Sequence, residues 1–360
     1  MDNMQKSQHG GVTETYSQEV DEKNTLKMRE IQKELPSFCR QFFRGISENT
    51  GTRTRLAYAY DLRVFFEYMH ENNCELAKMK IPDFPVSVLD QIQKVDLEEF
   101  LDWTTYYTKN GKVYTNDERG KSRKLSAIRS MYQYFYQSEQ ISRDVSALIP
   151  MPKLHEKPII RLEPNEVARL LDLAEDGEGL TKTEQRFHNK TAVRDTALLT
   201  LLLGTGIRVS ECVGLDLNDV NFEENGIRVH RKGGYDAIVY FGDEVEQALR
   251  RYLEARMQMI PQEGSENALF LSLQNRRITV RAVEKLVKKY ASRITTLKKI
   301  TPHKLRSTYG TSLYRETGDI YLVADVLGHK DVNTTRKHYA AIEEDRRRRA
   351  ANIVKLREDN

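Results

Sequence analysis

Three prolines fall within ten residues in the stretch IPMPKLHEKP, at Pro150, Pro152 and Pro158. Proline fixes φ and has no N–H, so neither a helix interior nor a central strand runs through such a stretch. The segment 149–158 is therefore expected to be a linker between two folding units. Size points the same way. A single core seldom grows past about 250 residues, and this chain has 360.

The first unit reads as helical. Leu62, Phe65, Phe66 and Met69 fall at i, i+3, i+4 and i+7, the apolar stripe of an amphipathic helix, and Leu125, Ile128, Tyr132 and Phe135 repeat the pattern. Their helical spacing makes packing a better role for these aromatics than base stacking. Residues 1–34 are polar and lack periodicity, so they are expected to be an arm ending in a helix, with a helical domain over 35–148. The polar stretch Lys109–Gly120 is expected to be a loop before a helix whose start carries Lys121, Arg123, Lys124 and Arg129. A helix N-terminus with added cations suits a backbone phosphate, though an ordinary exposed helix entry fits equally well.

In the second unit, Glu163–Glu175 and Thr191–Leu203 read as helices. Gly226–Phe241 reads as a β-hairpin, because the arms IRV and AIVYF flank a turn holding Gly233 and Gly234. The remainder reads as mostly helical up to Lys355. The expected fold is thus mainly α, with a small antiparallel sheet in the second unit.

Composition closes off other classes. The longest apolar run, Ala197–Leu203, is broken by Thr200, whereas a membrane-spanning helix needs about 20 apolar residues. The N-terminal stretch has no apolar core, so a secretory signal is not expected and a cytosolic setting is the simple reading. Cys39, Cys74 and Cys212 are widely spaced and suit free thiols. His70 and Cys74 lie four apart, but two ligands do not close a metal site. No cofactor, metal or small-molecule substrate is expected. The net charge is only +4, yet basic residues cluster at Lys121–Lys124, Arg228–Lys232, Arg276–Arg281, Lys298–Arg306 and Arg346–Arg349. Any one cluster could be a solvated face. Five of them favour a nucleic acid partner.

Four stretches of the second unit place polar groups in apolar surroundings. In LLLGTGIRVSECVGL, Arg208 sits at a turn between apolar segments, where it can face a phosphate or pair with Glu211 one helical turn on. In RKGG, Lys232 stands at a turn, able to reach a bound duplex or simply to be solvated. In TPHKLRSTYG, His303 and Arg306 are three apart at a helix start and can share one anion, or cap the helix and lie on the surface. In VLGHKDVNTTRKHY, His329 follows Gly328 and Tyr339 comes ten residues later. A lone tyrosine in a helix is ordinarily core. Together, however, these residues hold what transfer of a phosphodiester to a side chain needs: a nucleophile, donors for the phosphate oxygens, and an acid for the leaving oxygen. The charges come from side chains, so the chemistry requires no metal.

In order and spacing, GTGIRVSE, RKGG, HKLR, LGHKDVNTT and Tyr339 resemble the tyrosine recombinase family, over roughly residues 35–352. Length, the long loop before KLSAIRS, and RKGG followed by TPHKLR resemble Xer recombinases, in particular the single-recombinase type of Firmicutes, and a mobile-element integrase would share nearly all of this. TRLAYAYDLRVFFEYM and RKLSAIRSMYQYFY resemble that family's helical, SAM-like core-binding domain. The resemblance implies a mixed α/β catalytic domain over 159–340, with Tyr339 as the nucleophile of a 3′-phosphotyrosyl intermediate. It implies that Arg208 and Arg306 brace the scissile phosphate, that Lys232 is the general acid, and that His303 handles the tyrosine proton. His329 would assist at the phosphate, and Glu211 would orient Arg208. Arg231 joins Lys121, Arg123 and Lys124 as a candidate DNA contact. One departure is Ser307, where many relatives carry a second histidine. The family further implies two domains clamping duplex DNA at an inverted-repeat site and a homo-tetramer in synapsis. Residues 341–360 would then form a helix and tail docking on a neighbouring protomer, through Ala341, Ile342, Ala350, Ile353 and Val354, or packing on their own domain. Chromosome dimer resolution and insertion or excision of a mobile element both remain open. So do a type IB topoisomerase and a non-catalytic DNA-binding protein on the same scaffold.

Overall fold

The computed structural model describes residues 15–155, 159–231, 234–329 and 332. The chain divides into two compact units, Met1–Lys157 and Pro158–Asn360.

The first unit is built from helices α1 (Tyr16–Ile31), α2 (Cys39–Gly45), α3 (Thr52–Asn72), α4 (Val88–Gln91), α5 (Lys94–Trp103) and α6 (Glu118–Gln137). Between α5 and α6 lies a hairpin of β1 (Tyr106–Lys109) and β2 (Lys112–Thr115). The two expected apolar stripes form the centre of the core: Leu62, Phe65, Phe66 and Met69 of α3 meet Leu125, Ile128, Tyr132 and Phe135 of α6, all buried. Edge-on and tilted ring contacts tie the aromatics together, among them Phe65 with Phe100 and Phe38 with both Phe66 and Phe135. Packing is therefore their role.

Two expectations change. The stretch 1–34 ends in a helix as expected, α1, but that helix packs on α3 and buries Met28 and Ile31 beside Leu35, so the core reaches back past the boundary drawn at 34/35. The supposed loop Lys109–Gly120 holds β2, paired Tyr106 with Thr115 through Lys109 with Lys112, and the start of α6. Every side chain of β2 is exposed, which is why no inside-outside alternation marks it.

The second unit contains α7 (Pro164–Asp176), α8 (Lys182–Thr205), α9 (Val209–Gly214), β3 (Val220–Asn221), β4 (Gly226–Arg231), β5 (Tyr235–Tyr240), α10 (Asp243–Met257), α11 (Val280–Ile294), α12 (Pro302–Thr317) and α13 (Ile320–Leu327). The antiparallel order is β3-β4-β5, with Ile227 opposite Val239 and Arg231 opposite Tyr235. The hairpin is the one expected, and the short β3 adds a third strand.

Helix α8 is the axis of this unit. Thr181 caps its start while the Glu184 carboxylate accepts from the Thr181 backbone N–H, so the helix begins nine residues before the expected start at Thr191. Ala197 to Leu202 are buried all round, as for a helix wrapped by neighbours, and α7, α10 and α12 surround it. Among the described residues, no helix is long and apolar enough to cross a membrane.

Candidate active site

The site begins where α8 stops. Gly206 adopts φ +63°, the left-handed conformation that glycine enters without strain, and the chain turns into Arg208 and α9. A Cβ on Gly206 would lie 2.4 Å from the Tyr309 ring, so α12 packs directly over the bare turn. The sequence LLLGTGIR is thus a helix, a glycine stop and an arginine delivered just beyond it.

Arg208 is fixed from two sides. Its backbone N–H donates to Glu211 Oε2 at 2.7 Å, and its guanidinium donates to Glu211 Oε1 at 2.7 Å. The Glu211 side chain is only 4% exposed while that of Arg208 is 33% exposed. The carboxylate therefore sits inside and aims a guanidinium whose remaining face reaches solvent. Of the two readings of Arg208, the pairing with Glu211 is present, and it orients the cation. Next to Glu211, burial pushes the Cys212 thiol up, which keeps it protonated and unreactive.

Arg306 comes from α12, whose first turn carries Pro302. It is 5% exposed and donates to the Gly206 carbonyl at 2.7 Å and to the Leu327 carbonyl. His303, one turn earlier, is exposed, and Ser307 Oγ donates back to the His303 carbonyl at 3.0 Å. Position 307 here closes a helical turn.

The third contributor is the end of α13. Gly328 has φ +61°; its N–H donates to Asp325 O at 2.8 Å, and the N–H of His329 donates to Ala324 O at 2.9 Å. This is a Schellman ending, and it places His329 immediately outside the last turn. A helix end leaves its last carbonyls without intrahelical partners. Three arginines take them here. Arg231 donates to Asp325 O at 3.2 Å and Val326 O at 2.8 Å, Arg306 to Leu327 O, and Arg208 to Gly328 O at 3.1 Å. Four consecutive carbonyls are thus held by guanidiniums from β4, α12 and the α8–α9 turn.

The structure brings together Arg208, Glu211, Arg306 and the turn bearing His329. Lys232 and Tyr339 lie outside the described residues, as do 341–360 and Arg346–Arg349.

The candidate DNA contacts separate. Lys124 is 4% exposed and is held 3.3 Å from Asp61, so in this fold it balances a buried carboxylate rather than facing solvent. Arg123 bonds the same carboxylate from an exposed position, and Lys121 is half-buried. The start of α6 already holds an anion of its own, because Asp117 accepts from Gly120 N–H at 3.1 Å. Arg129 donates to the carbonyls of Ser146 and Ile149 and braces the end of the first unit. Arg231 is buried against α13 and is not a surface contact. The inward-facing set Ile227, Val229 and Arg231 on β4 carried that signal in its alternation. Elsewhere in the basic clusters, Arg228 pairs with Asp219, Lys298 with Glu166 and Arg277 with Asp216, while Arg281 is exposed.

The chain is similar to known proteins. The phage integrase family matches residues 160–346, more than half of the chain. The tyrosine recombinase XerD of Oceanobacillus iheyensis is 31% identical over 299 residues, covering 81% of this chain and 88% of that protein. Among solved structures, the XerH site-specific recombinase bound to palindromic difH substrate superposes with a TM-score of 0.62 at 22% identity, over 85% of this chain and 81% of that one. The Tn1549 transposon integrase in complex with circular intermediate DNA gives a TM-score of 0.59 at 21% identity, over 84% and 95%. These two likenesses show a shared fold. With the family match and the XerD identity, they establish that the chain belongs to the phage integrase family, as a site-specific tyrosine recombinase of the Xer type.

Proposed function

We propose that this recombinase cleaves and rejoins duplex DNA through Tyr339, with Arg208 and Arg306 bracing the scissile phosphate. The observation that carries the reading is the joint anchoring of those two arginines on the adjacent carbonyls of Leu327 and Gly328, with His329 next in the chain. Forked, permanently charged donors fixed in this way suit the charge that develops on non-bridging phosphate oxygens.

The Tyr339 phenol oxygen attacks phosphorus, and the bond to the 5′ oxygen breaks. The products are a 3′-phosphotyrosyl bond and a 5′ hydroxyl. A phenol of pKa about 10 needs help at neutral pH, so His303 takes its proton while Lys232 gives one to the leaving 5′ oxygen. His329 assists at the phosphate, and Glu211 keeps Arg208 aimed. Attack by the 5′ hydroxyl of a partner strand reverses the step and completes exchange. The two units clamp an inverted-repeat site, and four protomers synapse two such sites, linked through residues 341–360.

Its role in the bacterial cytoplasm is either chromosome dimer resolution or the insertion or excision of a mobile element. Mobile-element excision is distinguished by where the bound site lies, near the replication terminus or at an element's ends. The test of the chemistry is a nicked duplex that traps the cleaved state. The wild-type chain accumulates a covalent protein–DNA band and Tyr339→Phe binds without forming it. A covalent band from Tyr339→Phe rejects the assignment.

A further inference from the structure

We infer that Arg231 is a positioning residue of the recombination site: it locks the end of α13 so that the Leu327 and Gly328 carbonyls hold Arg306 and Arg208 in place. The inference rests on the phosphate-bracing role of those two arginines proposed above.

Arg231 is the last residue of β4, 8% exposed, and its guanidinium donates to Asp325 O and Val326 O, the two carbonyls directly before those used by Arg306 and Arg208. It also lies against the turn itself. A Cβ built on Gly328 would sit 1.8 Å from Arg231 Nη1 and 2.5 Å from its Cζ. The guanidinium thus fills the space beside the residue whose carbonyl receives Arg208. An arginine suits the place because its planar fork reaches two carbonyls at once, which a lysine ammonium on a flexible stem does less well.

Loss of this side chain acts on α13 rather than on the strand. β4 is paired along its whole length with β5, and Ile227 and Val229 anchor it in the core. The turn keeps its own backbone bonds, but Arg231 is the side chain that donates to both Asp325 O and Val326 O. Without Arg231 two helix-end carbonyls lose their charged donor and a void opens beside Gly328. Both arginine tethers lie within the next two residues. Because Lys232 follows Arg231 in sequence, a rival route exists in which Arg231 serves the leaving-group acid, and the two routes separate chemically.

The experiment is single-turnover cleavage of a nicked suicide duplex by the full chain, with DNA affinity and thermal unfolding measured beside it. Arg231→Met slows cleavage about 10- to 100-fold, the scale of lost hydrogen bonds from a charged donor, while DNA affinity stays close to wild type. Arg231→Lys falls in between. In an Arg208→Lys background the added cost of Arg231→Met shrinks, because both changes disable one clamp. Independent, multiplying losses overturn the inference.

The second arm replaces the scissile 5′ oxygen by sulfur, whose thiolate leaves without a proton. The Arg231→Met deficit persists on that substrate. Its relief would assign Arg231 to Lys232 and overturn the clamp route. Should Arg231→Met fail to fold, Arg231→Lys carries both arms. A covalent complex from Tyr339→Phe would instead sink the functional reading, leaving a distinct signature.

Discussion

Arg208 and Arg306 donate to the carbonyls of Gly328 and Leu327, neighbours in one turn, although the two arginines come from separate elements. Side chains proposed to act together on one phosphate are thus referenced to a common piece of backbone. Their relative position depends on a helix ending of defined geometry, and the consequences can be measured.

Gly328→Ala tests the turn. The left-handed conformation costs a residue with a Cβ about 1–2 kcal/mol, and the new methyl would displace the Arg231 guanidinium. A modest fall in melting temperature with a much larger fall in cleavage rate is expected, at nearly unchanged DNA affinity. Circular dichroism melts and single-turnover cleavage decide the matter. Wild-type cleavage by this variant would remove the turn from the account.

Glu211→Gln tests the aiming of Arg208. The amide keeps the shape but loses the charge that holds the guanidinium, and hydrogen bonds to charged groups are worth about 1.5–3 kcal/mol. Cleavage falls roughly 10- to 150-fold by that measure. The fall lies in the chemical step, not in site affinity. A change confined to affinity would make the pair purely structural.

Asp61 and Lys124 in the first unit form a buried pair, with side chains 2% and 5% exposed. Burial pushes the Asp61 carboxyl above its ordinary value even though Lys124 and Arg123 oppose the shift. Asp61→Asn strands the ammonium, and removing one partner of such a pair costs about 3–5 kcal/mol. Joining it with Lys124→Met recovers most of that loss. Fluorescence of the single tryptophan, Trp103, stacked 4.4 Å from Tyr107, reports unfolding of this unit directly. Additive losses in the double variant would deny the coupling.

Acid sensitivity is expected in the second unit through Glu184. The Thr181 backbone N–H, its hydroxyl and Arg293 hold this carboxyl below the ordinary carboxylate range. The sign follows. A lowered folded pKa contributes stability that is fully present above the unfolded value of about 4.3 and is lost as pH falls through the folded one. Glu184→Gln therefore destabilises the unit at neutral pH by about 1 kcal/mol, the scale of a helix cap, and flattens its acid limb. Circular dichroism at pH 7 and pH 3 measures the difference, with Trp103 fluorescence unchanged as the control. An unaltered acid limb contradicts this role.

Much of the fold was legible where side chains repeat with a period. The stripes of α3 and α6 and the β4–β5 hairpin follow directly from apolar spacing. The β1–β2 hairpin did not, because β2 is exposed throughout and shows no alternation. Its one signal was Asn110–Gly111, both at positive φ and suited to a tight hairpin turn. Helix α1 was expected as the end of an arm, but its place in the core was not, because Met28 and Ile31 are its only buried residues and sit at its far end. In the site, Arg208, Glu211, Arg306 and His329 could be named from their motifs. The parts that hold them could not, since the Gly206, Leu327 and Gly328 carbonyls are backbone atoms with no sequence identity. Arg231, expected as a candidate DNA contact, is buried on the inward face of β4, where the strand's alternation places it.

The central claim is a covalent bond between one tyrosine and DNA. Its most direct test is proteolysis of the complex trapped on a nicked duplex, followed by mass spectrometry of the nucleotide-bearing peptide. The account predicts a 3′-phosphotyrosyl adduct on Tyr339, abolished in Tyr339→Phe and strongly reduced in Arg208→Ala and Arg306→Ala. An adduct on any other residue, or cleavage with no protein attached to the DNA, would contradict it.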